Sequence, residues 1–179
     1  MINFSSGLIC LLGALAALGA AAIDMYLPSL PSIESELGGV GGSAQFTLSS
    51  FFIGLGLGQL FYGPISDSLG RRKVLVVGLL IYCLGSLFCF FAGTMMELIA
   101  ARFFQALGAA AGGVIARAMV RDVFSGKKAA QAQSFINLAF SFTPLMAPLF
   151  GGYLLIFFGW RSIFIALLLF GIICLLILI

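Results

Sequence analysis

The chain has 179 residues, 62% of them hydrophobic and only 8% charged. Soluble domains carry about 25% charged residues, so no water-soluble fold could cover this much apolar surface, and the composition demands lipid as its solvent. The net charge of +3 is not gathered into a basic patch interleaved with aromatics, which excludes the usual nucleic-acid footprint. With no histidine, a metal site has little to build from.

A spanning helix needs about 20 mostly apolar residues, and six segments qualify: 7–27, 44–65, 74–93, 98–120, 132–158 and 162–179. In lipid every backbone polar group must be bonded internally, and these runs are too long for barrel strands, so an all-α membrane protein is expected. The N-terminal run lacks a basic leader and exceeds a usual signal core, so it is read as a retained first span. Cys10, Cys83, Cys89 and Cys174 lie inside apolar runs with no Cys-x-x-Cys pair and are read as small apolar packers.

Between the first two spans, Pro28 and Pro31 are expected to end or kink the helix. Gly38-Gly39-Val40-Gly41-Gly42 reads as a flexible joint, because a phosphate loop would need a Gly-Lys-Ser/Thr ending. Between spans two and three, Gly63-Pro64-Ile65-Ser66-Asp67-Ser68-Leu69-Gly70-Arg71-Arg72-Lys73 reads as a tight polar hairpin. Together with Arg121, Lys127 and Lys128 it holds six of the nine Lys/Arg residues. The opposite loops hold Arg161, Glu34, Glu36 and Glu97. By the positive-inside rule the basic loops, and both termini, are cytoplasmic.

Gly54/Gly58 and Gly108/Gly112 have the small-xxx-small spacing that lets helix backbones approach closely. In the fifth span, Pro144, Pro148, Gly151 and Gly152 are read as a bend that either shapes a cavity or serves packing.

Asp24, Arg102 and Arg117 are ionisable residues inside predicted spans, and each must face the bundle interior or reach an interface. Arg117, one turn from Arg121, is expected to snorkel to the cytoplasmic surface. Asp24 and Arg102 lie at matching depths below the outer ends of their spans, so they are expected to pair or to share a cavity. Asp24 is the one carboxylate clearly within the membrane and the leading candidate to carry a proton. Burial favours the neutral acid whereas a nearby guanidinium favours the carboxylate, so separating the two would change proton affinity. The alternative is a static ion pair that fixes packing. Tyr26 and Gln105 could orient the pair or meet substrate. No nucleophile–base pair, paired carboxylates or metal ligands appear, so an enzyme is not expected.

The Gly63–Lys73 stretch resembles the signature of the major facilitator superfamily, Gly-x-x-x-Asp-x-x-Gly followed by a basic pair, with Ser68 where a basic residue is usual. Arg102-Phe103-Phe104-Gln105-Ala106-Leu107-Gly108 resembles the fourth-helix pattern of proton-coupled members, with Ala106 for Gly. Ala147-Pro148-Leu149-Phe150-Gly151-Gly152 resembles the fifth-helix antiporter pattern, with Ala147 for Gly. Ile23-Asp24-Met25-Tyr26-Leu27-Pro28 is similar to the first-helix signature of 12-helix drug:proton antiporters, in particular the Bcr/CflA-like multidrug efflux group.

The resemblance implies one half of a transporter, built from two inverted three-helix repeats in a bacterial inner membrane. As half of a full transporter, it takes part in exporting small, mostly apolar drugs, driven by the proton gradient and with no cofactor. It implies a cytoplasmic gate in which Asp67, framed by Gly63 and Gly70, caps a helix of the other half. Arg71, Arg72 and Asp122 contribute to that gate, with a charge relay through Asp67, Arg71 and Asp122. Related exporters carry a second carboxylate in the first helix, where this chain has Ala16 and Ala17. The expected partners are membrane lipid, a small-molecule drug, and a C-terminal half or second half-transporter absent from this chain. The alternatives are a metabolite facilitator or importer of the same fold, and a truncated, non-transporting membrane fragment.

Overall fold

The computed structural model describes residues 4–38 and 41–179. The regular elements among its described residues are all helices: α1 (Phe4–Asp24), α2 (Leu30–Glu36), α3 (Gln45–Leu69), α4 (Arg71–Phe91), α5 (Met95–Val123), α6 (Gly126–Phe158) and α7 (Arg161–Leu178). Six helical segments are long and apolar enough to cross a membrane. They overlap the six expected spans, and all except α7 start earlier or end later in polar turns.

The differences have local causes. Pro28 and Pro31 do not leave the chain irregular. Each sits in the first turn of a new helical segment, the 3₁₀ turn Leu27–Ser29 and α2, where its missing N–H has no intrahelical partner to lose. In the glycine-rich joint, Gly38 and Gly42 take positive φ values of 68° and 90°, while Gly39 and Val40 lie outside the described residues. The expected polar hairpin after the second span shrinks to Gly70 alone. Its φ of 92° disfavours a residue with a Cβ, and α3 and α4 abut it on either side. α5 starts with a capping box: Thr94 Oγ1 accepts from the Glu97 N–H at 3.3 Å, and the Glu97 carboxylate accepts from Thr94 N–H at 3.3 Å and Gly93 N–H at 2.8 Å. α6 runs unbroken through Pro144 and Pro148.

α5 is the central helix, packed against α1, α3 and α4, with α7 against α4 and α6 against α1. Close approach explains the glycines. A Cβ on Gly54 would meet the Phe103 carbonyl, one on Gly58 the Ala110 methyl, one on Gly112 the Leu15 carbonyl, and one on Gly108 the backbone of Tyr82 and Gly78. Both small-xxx-small pairs therefore lie at helix crossings. α3 and α6 turn large apolar side chains outward, among them Phe52, Leu60, Phe61, Leu149, Phe150 and Phe157.

The two ends of the bundle differ in charge, as the loops suggest. At one end Glu36 accepts from Trp160 Nε1 at 2.7 Å and pairs with Arg161, whose Nη2 donates to the Ala92 carbonyl at 3.2 Å. This joins α2, the end of α4 and the start of α7. The Gly70 junction and the last turn of α5 meet at the other end.

Backbone at the Gly108 crossing cannot give way, so Gly108→Ala is expected to destabilise the protein by about 1–3 kcal/mol through overpacking. Gly56→Ala, at a helical position with open space, should be neutral or slightly stabilising. Thermal unfolding in detergent distinguishes the two.

Candidate functional site

The site is built around two charged groups that the fold separates. Arg102 on α5 is fully buried. Its guanidinium carbon lies 4.1 Å from the centroid of the Phe51 ring, 4.4 Å from that of Tyr26 and 5.9 Å from that of Phe164. Nη1 donates to the Ala22 carbonyl at 3.1 Å and to Gln105 Oε1 at 2.7 Å. Gln105 Nε2 donates to Ser86 Oγ at 2.9 Å, and Ser86 Oγ donates to the Tyr82 carbonyl at 2.8 Å. Thr47 Oγ1 donates to the Ala44 carbonyl at 2.5 Å, so the Tyr26 hydroxyl, 2.7 Å away, is the donor to Thr47. Nε and Nη2 of Arg102 find no hydrogen-bond acceptor, and the aromatic faces are what attract that side of the cation.

The expected Asp24–Arg102 pairing is corrected. No ion pair joins them among the described residues, and Arg102 is enclosed by aromatics while Asp24 lines an open cavity. Matching depth was necessary for pairing but not sufficient. Two residues along an α-helix turn the side chain roughly 200°. The Ala22 carbonyl faces Arg102, and two residues on Asp24 points to the other side of α1. Tyr26, expected beside Asp24, instead belongs to the Arg102 stack. Gln105 does orient Arg102.

Asp24 lines a cavity of about 390 Å³ between α1, α3, α5 and α6, together with Ala16, Phe52, Gln59, Arg117 and Phe140. Arg117, expected at the cytoplasmic surface with Arg121, also lines this cavity, its guanidinium carbon 5.9 Å from the Phe140 ring centroid. Ala109, Gly113 and Arg117 all line the cavity at four-residue spacing, so helical periodicity sets the direction. Pro144 lies in the same wall, while Pro148 and Gly152 do not. A Cβ on Gly151 would strike the Met25 backbone, so Gly151 lets α6 cross the end of α1.

At the basic end, Arg71 Nε donates to Asp122 Oδ2 at 3.0 Å, and its Nη1 reaches Asp67 Oδ1 at 2.5 Å and Ser66 Oγ at 2.6 Å. Asp67, Arg71 and Asp122 are thus contiguous, on either side of the Gly70 junction, with Gly63 on α3. Arg72 turns away and donates to the Leu178 carbonyl at 3.1 Å. Sequence reasoning did not single out Ser66, Ser86, Thr47, Gln59, Phe51 or Phe164. Only Ser66 lay inside a quoted signature, and 19 phenylalanines gave no basis for choosing two.

An all-helical unit of six membrane-length helices, with charged groups lining a cavity among them, has the architecture of a membrane transporter. Residues 9–179 match the Major Facilitator Superfamily, and the chain belongs to that family. It is 42% identical over 163 residues to an uncharacterized MFS-type transporter, YdgK, of Bacillus subtilis, covering 90% of this chain and 40% of that protein. It is 36% identical to multidrug resistance protein D of Escherichia coli, covering 90% and 41%. It is 38% identical to a bicyclomycin resistance protein homolog of Haemophilus influenzae, covering 89% and 40%. The chain thus spans about 40% of the length of these relatives. It shares its fold with the human organic anion transporter MFSD10 (TETRAN), at a TM-score of 0.73 and 21% identity, over 98% of this chain and 47% of that one.

A double-mutant cycle checks the separation of Asp24 from Arg102. Asp24→Asn and Arg102→Met are expected to show a stability coupling below about 0.5 kcal/mol, as for residues that share no partner. A coupling several times larger would restore the ion pair.

Proposed function

We propose that the chain is the N-terminal six-helix part of a proton-coupled exporter of small, mostly apolar drugs, working by alternating access with a second six-helix half. The observation that carries the reading is Asp24. It is the one carboxylate within the spans expected from hydropathy, it lines the cavity, and no ion pair occupies it among the described residues. Its proton can therefore be exchanged from the cavity without dismantling the buried core. Relatives named for multidrug and bicyclomycin resistance support drugs as the cargo. The outward apolar faces of α3 and α6 suit contact with lipid and with a second half.

In this reading Arg102, Tyr26 and Gln105 act as a positioning unit that holds α1 in register and so sets where Asp24 meets the cavity. Asp67, Arg71 and Asp122 form the gate on the cytoplasmic side of a bacterial inner membrane, with Gly63 and Gly70 permitting close approach of the partner helix. Arg72 anchors α7 beside it. Pro144 shapes the cavity wall, and Pro148 with Gly151 and Gly152 lets α6 move against α1. The proton gradient supplies the energy, and no cofactor is required.

In inverted vesicles carrying this chain together with its second half, Asp24→Asn is expected to abolish drug movement driven by a pH gradient. Retained coupled movement would overturn the proton assignment. Asp122→Asn frees Arg71 from one carboxylate and is expected to slow turnover severalfold. The exposed ion pair itself contributes only about 0–1 kcal/mol, so thermal unfolding should hardly change.

A further inference from the structure

An acid and a base of opposite charge type line the cavity, and neither is spent on a partner among the described residues. Asp24 and Arg117 both line it, and among the described residues neither forms an ion pair or a side-chain hydrogen bond. The nearest aromatic to the Arg117 guanidinium is Phe140, at 5.9 Å to its ring centroid.

The helix crossing fixes how far apart they stand. Gly19 lies level with Ala109, and Leu15 with Gly112, so α1 and α5 run antiparallel along the cavity. Asp24 is five residues to one side of that level on α1, and Arg117 eight residues to the other side on α5. At 1.5 Å per residue the two backbone positions are roughly 20 Å apart along the axis, a distance the long arginine side chain shortens. Between them the wall is apolar, with Ala16, Phe52 and Phe140, and with Gln59 as a neutral polar group. The two groups therefore do not meet directly across the cavity.

We infer that this cavity selects amphoteric substrates: molecules with a basic amine at one end, an anionic group at the other, and an aromatic or apolar body between. The amine meets Asp24, the anion meets Arg117 through charge-assisted hydrogen bonds, and the body lies against Phe52 and Phe140. A purely cationic compound leaves Arg117 in the cavity wall without a counter-charge. A purely anionic one leaves Asp24 facing a neutral group. This inference rests on the cavity being the drug site, and it adds the substrate class.

Ciprofloxacin, its methyl ester and its N-acetyl derivative share one fluorescent body and are respectively zwitterionic, cationic and anionic near neutral pH. Equilibrium binding to the full chain in nanodiscs, read by quinolone fluorescence, is expected to favour ciprofloxacin over both derivatives by about tenfold, the scale of one charge-assisted hydrogen bond. Arg117→Gln should erase the advantage over the ester, and Asp24→Asn the advantage over the N-acetyl compound. Arg117→Lys and Asp24→Glu should restore each, which guards against mere misfolding. Equal binding of the three compounds, an advantage over the ester that survives Arg117→Gln, or an advantage over the N-acetyl compound that survives Asp24→Asn, would overturn the inference. Proton-driven transport without charge preference would sink the amphoteric class and leave the export reading standing. Charge-selective binding without drug–proton exchange would do the reverse.

Discussion

The bundle depends on where it stores one buried cation. A guanidinium inside a membrane protein is costly unless its surroundings answer its charge. Arg102 is answered mainly by aromatic faces, with Phe51 and Tyr26 each within 4.4 Å of its carbon, and by one carbonyl and one amide. Desolvated cation–π contacts contribute about 2 kcal/mol each, and hydrogen bonds to charged groups about 1.5–3 kcal/mol. Those groups come from α1, α3, α5 and α7, and through Gln105 and Ser86 the network extends to α4. Five helices are thus registered by one side chain. A lysine could not replace it, because an ammonium lacks the planar face that stacks on Phe51 and Tyr26.

That storage decides what the cavity can do. With Arg102 turned into the core, Asp24 lines the cavity and has no ion-pair partner among the described residues. Arg117, which could have served as a surface anchor, is drawn into the cavity by the four-residue spacing with Ala109 and Gly113. The polar clusters divide along the helix axis. Arg102 stabilises, Asp24 and Arg117 line the cavity, and Asp67, Arg71 and Asp122 lie at the basic end. The Glu36–Trp160–Arg161 cluster ties the opposite end together, so this unit is suited to move as one body.

Much of this was legible in the sequence, and what was not has a physical reason. Span positions follow from hydropathy, which lipid enforces strictly. The glycine pairs followed from helical spacing, and the adjacency of Arg71 to Asp67 and Asp122 from a resemblance that carries spacing with it. Depth in the membrane was also readable, since rise per residue is fixed. Azimuth was not: Asp24 and Arg102 matched in depth and failed to meet because Asp24 is half a turn away from the Ala22 face of α1. The aromatic cage escaped for a different reason, since Phe51 and Phe164 look like any other apolar residue until the fold brings them to Arg102. Pro28 and Pro31 do follow the end of α1, and what the sequence did not show is that each also opens a new helical segment.

The central claim is that Asp24, kept apart from Arg102, is the group whose proton the cargo displaces. Drug-induced difference infrared spectroscopy on the full chain reports this directly. The account predicts that adding ciprofloxacin removes a protonated-carboxyl band, and that Asp24→Asn has no such band to lose. A carboxyl band that persists through drug binding, or a drug-sensitive band retained in Asp24→Asn, would contradict it.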